Sequence, residues 1–193
     1  GGADNLISTS TLANTLAALM VLSGAGAYIS PTGNIAKYAP TAIADDASVA
    51  FMRMNAALQV LAGASIIAAQ HSLDAAVATS FTGLALVLLA GTPGFEKLGM
   101  PKEPLAIWVL AMAVLGELAR EGTLSSGLAL KIAVGIGAVT SAQEIVYPKL
   151  TFDAYKMPPP SAIVKILFDN FVWLKLGMAG FLLAIFKTGK LEM

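Results

Sequence analysis

The chain has 193 residues, of which 56% are hydrophobic and only 12% charged, and its twelve cations balance its twelve anions. Soluble domains carry roughly twice that charge, so the polar residues here are too few to coat a water-soluble fold, and lipid is the expected solvent for much of the surface. Zero net charge without a basic cluster argues against a nucleic-acid partner. No cysteine and a single histidine, His71, exclude disulfides, thiol nucleophiles, thiolate-held iron–sulfur clusters, an all-Cys/His zinc site and a bis-histidine haem within one chain.

The sequence starts at Gly1-Gly2 rather than at methionine. That is the expectation for a chain cleaved on import into an organelle, or for one whose first residues are missing.

A helix crossing the roughly 30 Å hydrocarbon core needs about 20 apolar residues. In chain order, six segments compete: 12–30, 49–69, 74–91, 104–119, 124–146 and 162–186. The expectation is an all-α, polytopic bundle of six transmembrane helices in three hairpins, forming a single membrane domain. The fourth segment is the shortest and ends in Glu117, Arg120 and Glu121. It crosses only with tilt or local thinning, and the alternative is five spans plus one interfacial helix.

Two connections are short, at 70–73 and 120–123, which predicts antiparallel packed neighbours. Three are longer and proline-bounded: 31–48, 92–103 and 147–161. Each has an apolar residue after its first proline (Ile35, Phe95, Phe152) and a lysine before its second (Lys37, Lys97, Lys156). Tyr38 matches Tyr155, and Asn55 and Asn170 follow in the first and third units. Three copies of one helix–loop–helix unit would give this pattern. So would prolines that end helices and lysines that collect at one membrane face.

Lys37, Lys97, Lys102, Lys149 and Lys156, with Arg53 and Lys165 just inside, mark the side of the long loops. Arg120, Lys187 and Lys190, with Lys131 just inside, mark the other. The positive-inside rule then places the long loops in the stroma, matrix or cytoplasm and both termini opposite.

Small residues let helix backbones approach in lipid. Ala129, Ala133, Gly137 and Ser141 line the fifth span, Ala56, Gly63, Ala64 and Ala68 the second, Gly177, Gly180 and Ala184 the sixth, and Ser23, Gly24 and Gly26 the first. These stripes point to a tight bundle or to docking against other integral membrane subunits.

Charge at depth is costly and functional by default. Arg53, Lys131 and Lys165 lie near predicted ends and can snorkel to the interface. Lys175 lies halfway along the sixth span, where insertion costs about 2.5–3.5 kcal/mol. Asp169 is off its helix face, so Glu144 or Glu117 from another helix is the expected partner. The alternative makes 162–170 an interfacial stretch that lifts Lys175 toward water. Glu117 and Arg120 have ion-pair spacing, and Asn55 and Gln59 form a polar stripe.

His71, Glu117, Glu144, Asn55, Gln59 and Asn170 are the candidate axial ligands for a chlorophyll magnesium. The plainer roles are hydrogen bonds between helices and, for His71, a solvated turn. No Walker, dinucleotide or zinc-protease motif is present. Two short stretches carry resemblances. Gly94-Phe95-Glu96-Lys97-Leu98 after a glycine-rich helix resembles the DoxX-type membrane proteins, which have four spans. Glu117-x-x-Arg120 resembles the Glu–Arg pairs of light-harvesting antenna helices, whose flanking glycine and Ala-Met pattern is absent. Neither assigns the chain to a family.

The expected function is non-enzymatic. The chain would be an accessory subunit of a large organellar membrane complex, first a photosystem–antenna assembly in the thylakoid, with chlorophyll, carotenoid, lipid and neighbouring subunits as partners. The alternatives are a small-solute transporter or channel, a subunit of a respiratory or ATP-synthase complex in the mitochondrial inner membrane, and, with least support, a membrane-embedded enzyme.

Overall fold

Helix starts follow local capping chemistry. Asp45 accepts the Ser48 N–H at 2.7 Å and the Ser48 hydroxyl accepts the Asp45 N–H at 2.9 Å, a reciprocal capping box. Ser72 accepts the Ala75 N–H and Ser125 the Leu128 N–H. The computed structural model describes residues 9–157 and 159–188. In these the chain forms α1 (Thr9–Ile29), α2 (Pro31–Tyr38), α3 (Asp46–Ala69), α4 (Leu73–Lys97), α5 (Lys102–Arg120), α6 (Ser126–Val146), α7 (Pro148–Ala154) and α8 (Ala162–Thr188). The described residues contain no strand.

Five of these helices, α1, α3, α4, α6 and α8, are long and apolar enough to cross a membrane. The described residues are therefore all-α with five helices of membrane-spanning length and composition, as a membrane protein would have, but the expected sixth crossing does not meet the same test. Lys102 and Glu103 open α5 and Glu117 and Arg120 close it, leaving an apolar stretch of only 104–116.

The long loops also differ from expectation. Pro31 and Pro148 do not merely stop helices; each opens a short one, α2 and α7. Proline suits the first helical turn, where its missing N–H has no partner to lose. Pro93 lies inside α4, which runs on to Lys97, so the middle loop shrinks to a few residues closed by Gly99 at φ +77°.

α3 is the centre of the bundle. Of its spanning stretch, 61% is buried inside the protein, against 17% for α1 and 18% for α6. It packs on α1, α4 and α8, α5 packs on α4, and α6 packs on α8. The five-residue turn 121–125 does not bring α5 and α6 together along their length, contrary to the antiparallel pair expected from its shortness. Gly122, at φ +71°, lets α6 swing away to α8 instead.

Two kinds of interface surround α3. Toward α1 the backbones nearly touch: a Cβ on Gly24 would lie 2.6 Å from the Ala56 carbonyl, and one on Gly63 would lie 2.7 Å from the Ala17 carbonyl. Toward α8 the contact is made by rings. Phe51 meets Phe168 edge-on at 5.9 Å and Phe95 at 5.5 Å, and Phe152 meets Phe168 at 5.0 Å.

Replacing Gly63 by leucine should force α1 off α3 and cost roughly 1–3 kcal/mol. Gly180→Ala, where a Cβ meets nothing within 4 Å, should be neutral. Thermal unfolding in detergent distinguishes the two, and equal behaviour of both variants would contradict the close-approach interface.

Candidate ligand cavity

Because α6 leaves α5, a cavity of about 450 Å³ opens between α4, α5, α6 and α8, roofed by α7. Its depth is apolar, with Phe51, Leu58, Leu84, Leu88 and Met112 in the wall. A few polar groups converge at one region: Trp108, Thr140, Gln143, Glu144, Tyr155 and Lys175. A largely apolar cleft with a small set of converging polar groups is the usual form of a small-molecule site.

Lys175 and Glu144 form an ion pair across α8 and α6, with side chains only 15% and 13% exposed. Lys175 Nζ also lies 5.0 Å from the centre of the Phe171 ring, one turn earlier on α8. Of the two partners that the sequence offered Lys175, the fold supplies Glu144. Asp169 is taken by Lys165 at 2.8 Å on the exposed face of α8. α8 runs unbroken through 162–170, and Lys175 is mostly buried inside the bundle.

Tyr155 follows α7, outside the spanning segments. Burial pushes its phenol above the ordinary tyrosine value, the nearby Glu144 carboxylate adds to the rise, and the Trp108 indole opposes it.

The remaining candidate residues fall elsewhere. Asn55, Gln59 and Asn170 share a second concavity, a crevice between α1, α2, α3 and α8. Asn55 is buried there and its side-chain N–H donates to the Leu167 carbonyl at 2.7 Å, tying α3 to α8. Asn170 is exposed, so the two asparagines matched in the sequence do not occupy equivalent environments. His71 is exposed on the turn between α3 and α4. Glu117 is exposed and held by Arg120, whose Nε donates to it at 2.8 Å. Neither His71 nor Glu117 lines either concavity. Arg53 is exposed on α3, within two turns of its start. Among the described residues no three His, Asp or Glu side chains gather to hold a metal ion.

The sequence missed Trp108, Thr140 and Tyr155 as a group. Each reads as an ordinary membrane-helix or interface residue, and only the splaying of α6 brings them together.

Removing one member of the pair should leave a buried uncompensated charge. Lys175→Met alone should cost about 3–5 kcal/mol, and adding Glu144→Leu should recover most of that loss. Denaturant unfolding of the two single variants and the double variant measures this, and additive losses would contradict the pairing. For Tyr155, the folded protein holds the phenolic proton more tightly than the unfolded chain does. Its contribution is therefore complete below the ordinary value of about 10 and is lost as pH rises through the raised folded value. An alkaline absorbance titration should show one late-titrating tyrosine that Tyr155→Phe removes; an unchanged profile would contradict it.

Comparison with protein-family models, with curated proteins and with solved structures gives no match to this chain.

Proposed function

We propose that the protein is a non-catalytic integral membrane subunit that holds one elongated apolar molecule with an oxygen-bearing head in the cavity between α5 and α6. The observation that carries this reading is the Lys175–Glu144 pair set in the wall of an otherwise apolar cleft. The ammonium, the amide of Gln143 and the hydroxyl of Tyr155 are donors for carbonyl or ester oxygens, while the Thr140 hydroxyl donates to the Ile136 carbonyl at 2.8 Å. Phe51, Leu84 and Met112 suit an isoprenoid or acyl tail. Quinones, carotenoids and the esterified tails of chlorophylls belong to this class. Membership of a large organellar complex, with a photosystem–antenna assembly in the thylakoid ahead of a respiratory one, is the setting we favour. Its support is the apolar composition and the scarcity of catalytic side chains.

The same proposal takes α5 as a sixth, tilted crossing. α5 packs along α4, its outer face of Ile107, Leu110 and Val114 is apolar and exposed, and its charges lie at its two ends. It also takes α1–α2–α3 and α6–α7–α8 as two copies of one unit. α1 and α6 are both 21 residues long, and Thr9 and Ser126, Pro31 and Pro148, and Tyr38 and Tyr155 stand at one constant spacing. Ile35 and Phe152, at that spacing too, are both buried. α4–α5 departs from the unit, since Pro93 opens no separate helix. The loop-side excess of lysine favours the stromal or matrix face for α2 and α7.

Purification in mild detergent, followed by an absorption spectrum and mass spectrometry of the organic extract, tests the function. One apolar molecule per chain is expected, lost several-fold in Glu144→Gln and in Lys175→Met. An extract holding only lipid, in amounts equal for wild type and variants, would overturn the reading. Solute flux in liposomes that Lys175→Met abolishes would replace it with a carrier.

A further inference from the structure

The crevice between α1, α2, α3 and α8 is a second concavity, which shares Ser80, Met178 and Leu182 with the lining of the cavity. It measures about 1140 Å³ and opens between α1 and α8, which do not touch each other among the described residues. Part of its lining matches that of the cavity. At the spacing that relates α1–α2 to α6–α7, Ser23, Ala27 and Tyr38 of the crevice correspond to Thr140, Glu144 and Tyr155 of the cavity. α3 and α8 run one residue off that spacing, which sets Gln59 opposite Lys175. The crevice therefore repeats the architecture of the cavity with the ion pair replaced by an amide and a methyl group.

Its polar groups gather near α2. The Asn34 amide lies against the Met52 sulfur at 3.8 Å, one turn from Asn55 on α3. Asn55 is only 6% exposed, and with its N–H spent on Leu167 its side-chain oxygen has no hydrogen-bond partner among the described residues. An unpartnered acceptor at this burial is costly. Lys37, at the α2 end, is the only charged residue among the described residues of the lining. From there the wall becomes more apolar through Ala62 and Ile66 of α3 and Phe181 of α8, and Asn55 to Ile66 spans about 16 Å by helical rise.

We propose that this crevice binds one diacyl lipid whose head carries a single phosphate and no cation. The phosphate is met by Lys37 and Asn34, and one acyl chain lies in the groove between α1 and α8. One cation without a carboxylate suits a monoanionic head and disfavours a choline one. The proposal stands whatever fills the cavity.

Native mass spectrometry of the detergent-solubilised protein, titrated with phosphatidylglycerol or phosphatidylcholine, tests it. One phosphatidylglycerol should bind about tenfold more tightly than phosphatidylcholine, and Lys37→Gln should remove most of that preference. Lys37 is exposed, so its replacement does not threaten the fold. Gly177 lines the crevice and a Cβ there meets nothing within 4 Å. Gly177→Leu should therefore block the acyl chain without unfolding the bundle. Lys175→Met should leave this binding intact, separating it from the cavity. Equal binding of both lipids, or unchanged binding in Gly177→Leu, would overturn the proposal.

Discussion

The fold depends on how closely other backbones can approach α3. In lipid there is no hydrophobic drive between helices, so contact must come from dispersion and from direct polar links. On the α1 side, Gly24 and Gly63 sit against the carbonyls of Ala56 and Ala17. On the α4 side, Gly91 and Gly94 sit against Met54 and Ala50. Among the described residues no glycine serves the α8 side in this way: Gly177 and Gly180 of α8 face open space. There the helices are held at ring distance by Phe51 and Phe168 and by the Asn55–Leu167 hydrogen bond. Both concavities are lined by α3 and α8, beside this wider interface.

The same constraint decides where α6 goes. Its closest described glycine contact is with α8, Gly137 against Ala179 at 3.8 Å, and the Lys175–Glu144 pair bolts the same two helices together. α6 thus belongs with α8 and not with α5, its neighbour in sequence. A buried ion pair is rarely a net gain over apolar packing. Set in the wall of a cleft, the pair is placed to orient a polar head inside an apolar site, which is the role proposed for it.

Much of this was legible in the sequence. The spans were readable because an unbroken apolar run about 20 residues long matches the thickness of a bilayer and little else. Lys175 stood out because a cation in such a run needs a partner. Glu144 was one of two candidates, and only the pairing of α6 with α8 decided between them. The short helices α2 and α7 were hidden because proline reads first as a helix breaker, although at the first helical position it costs nothing. Pro93 misled in the other direction: it lies a turn from the end of α4, where the helix tolerates one lost hydrogen bond. The gap between α5 and α6 had no local signal at all. A short turn fixes where two helices begin to diverge, and the side chains further along decide whether they stay together. His71 and Glu117 have ligand chemistry, but the ends of the bundle, where they lie, offer no enclosing wall.

We propose that the cavity beside the ion pair opens sideways into hydrocarbon. The chain has two tryptophans, Trp108 in the cavity wall and Trp173 on the exposed face of α8. In a Trp173→Phe variant reconstituted in bilayers, Trp108 becomes the sole indole reporter. Its fluorescence should be strongly quenched by lipids brominated along the acyl chains and hardly at all by a water-soluble quencher. Strong aqueous quenching with little effect of the brominated chains would place the cavity in water and contradict the account.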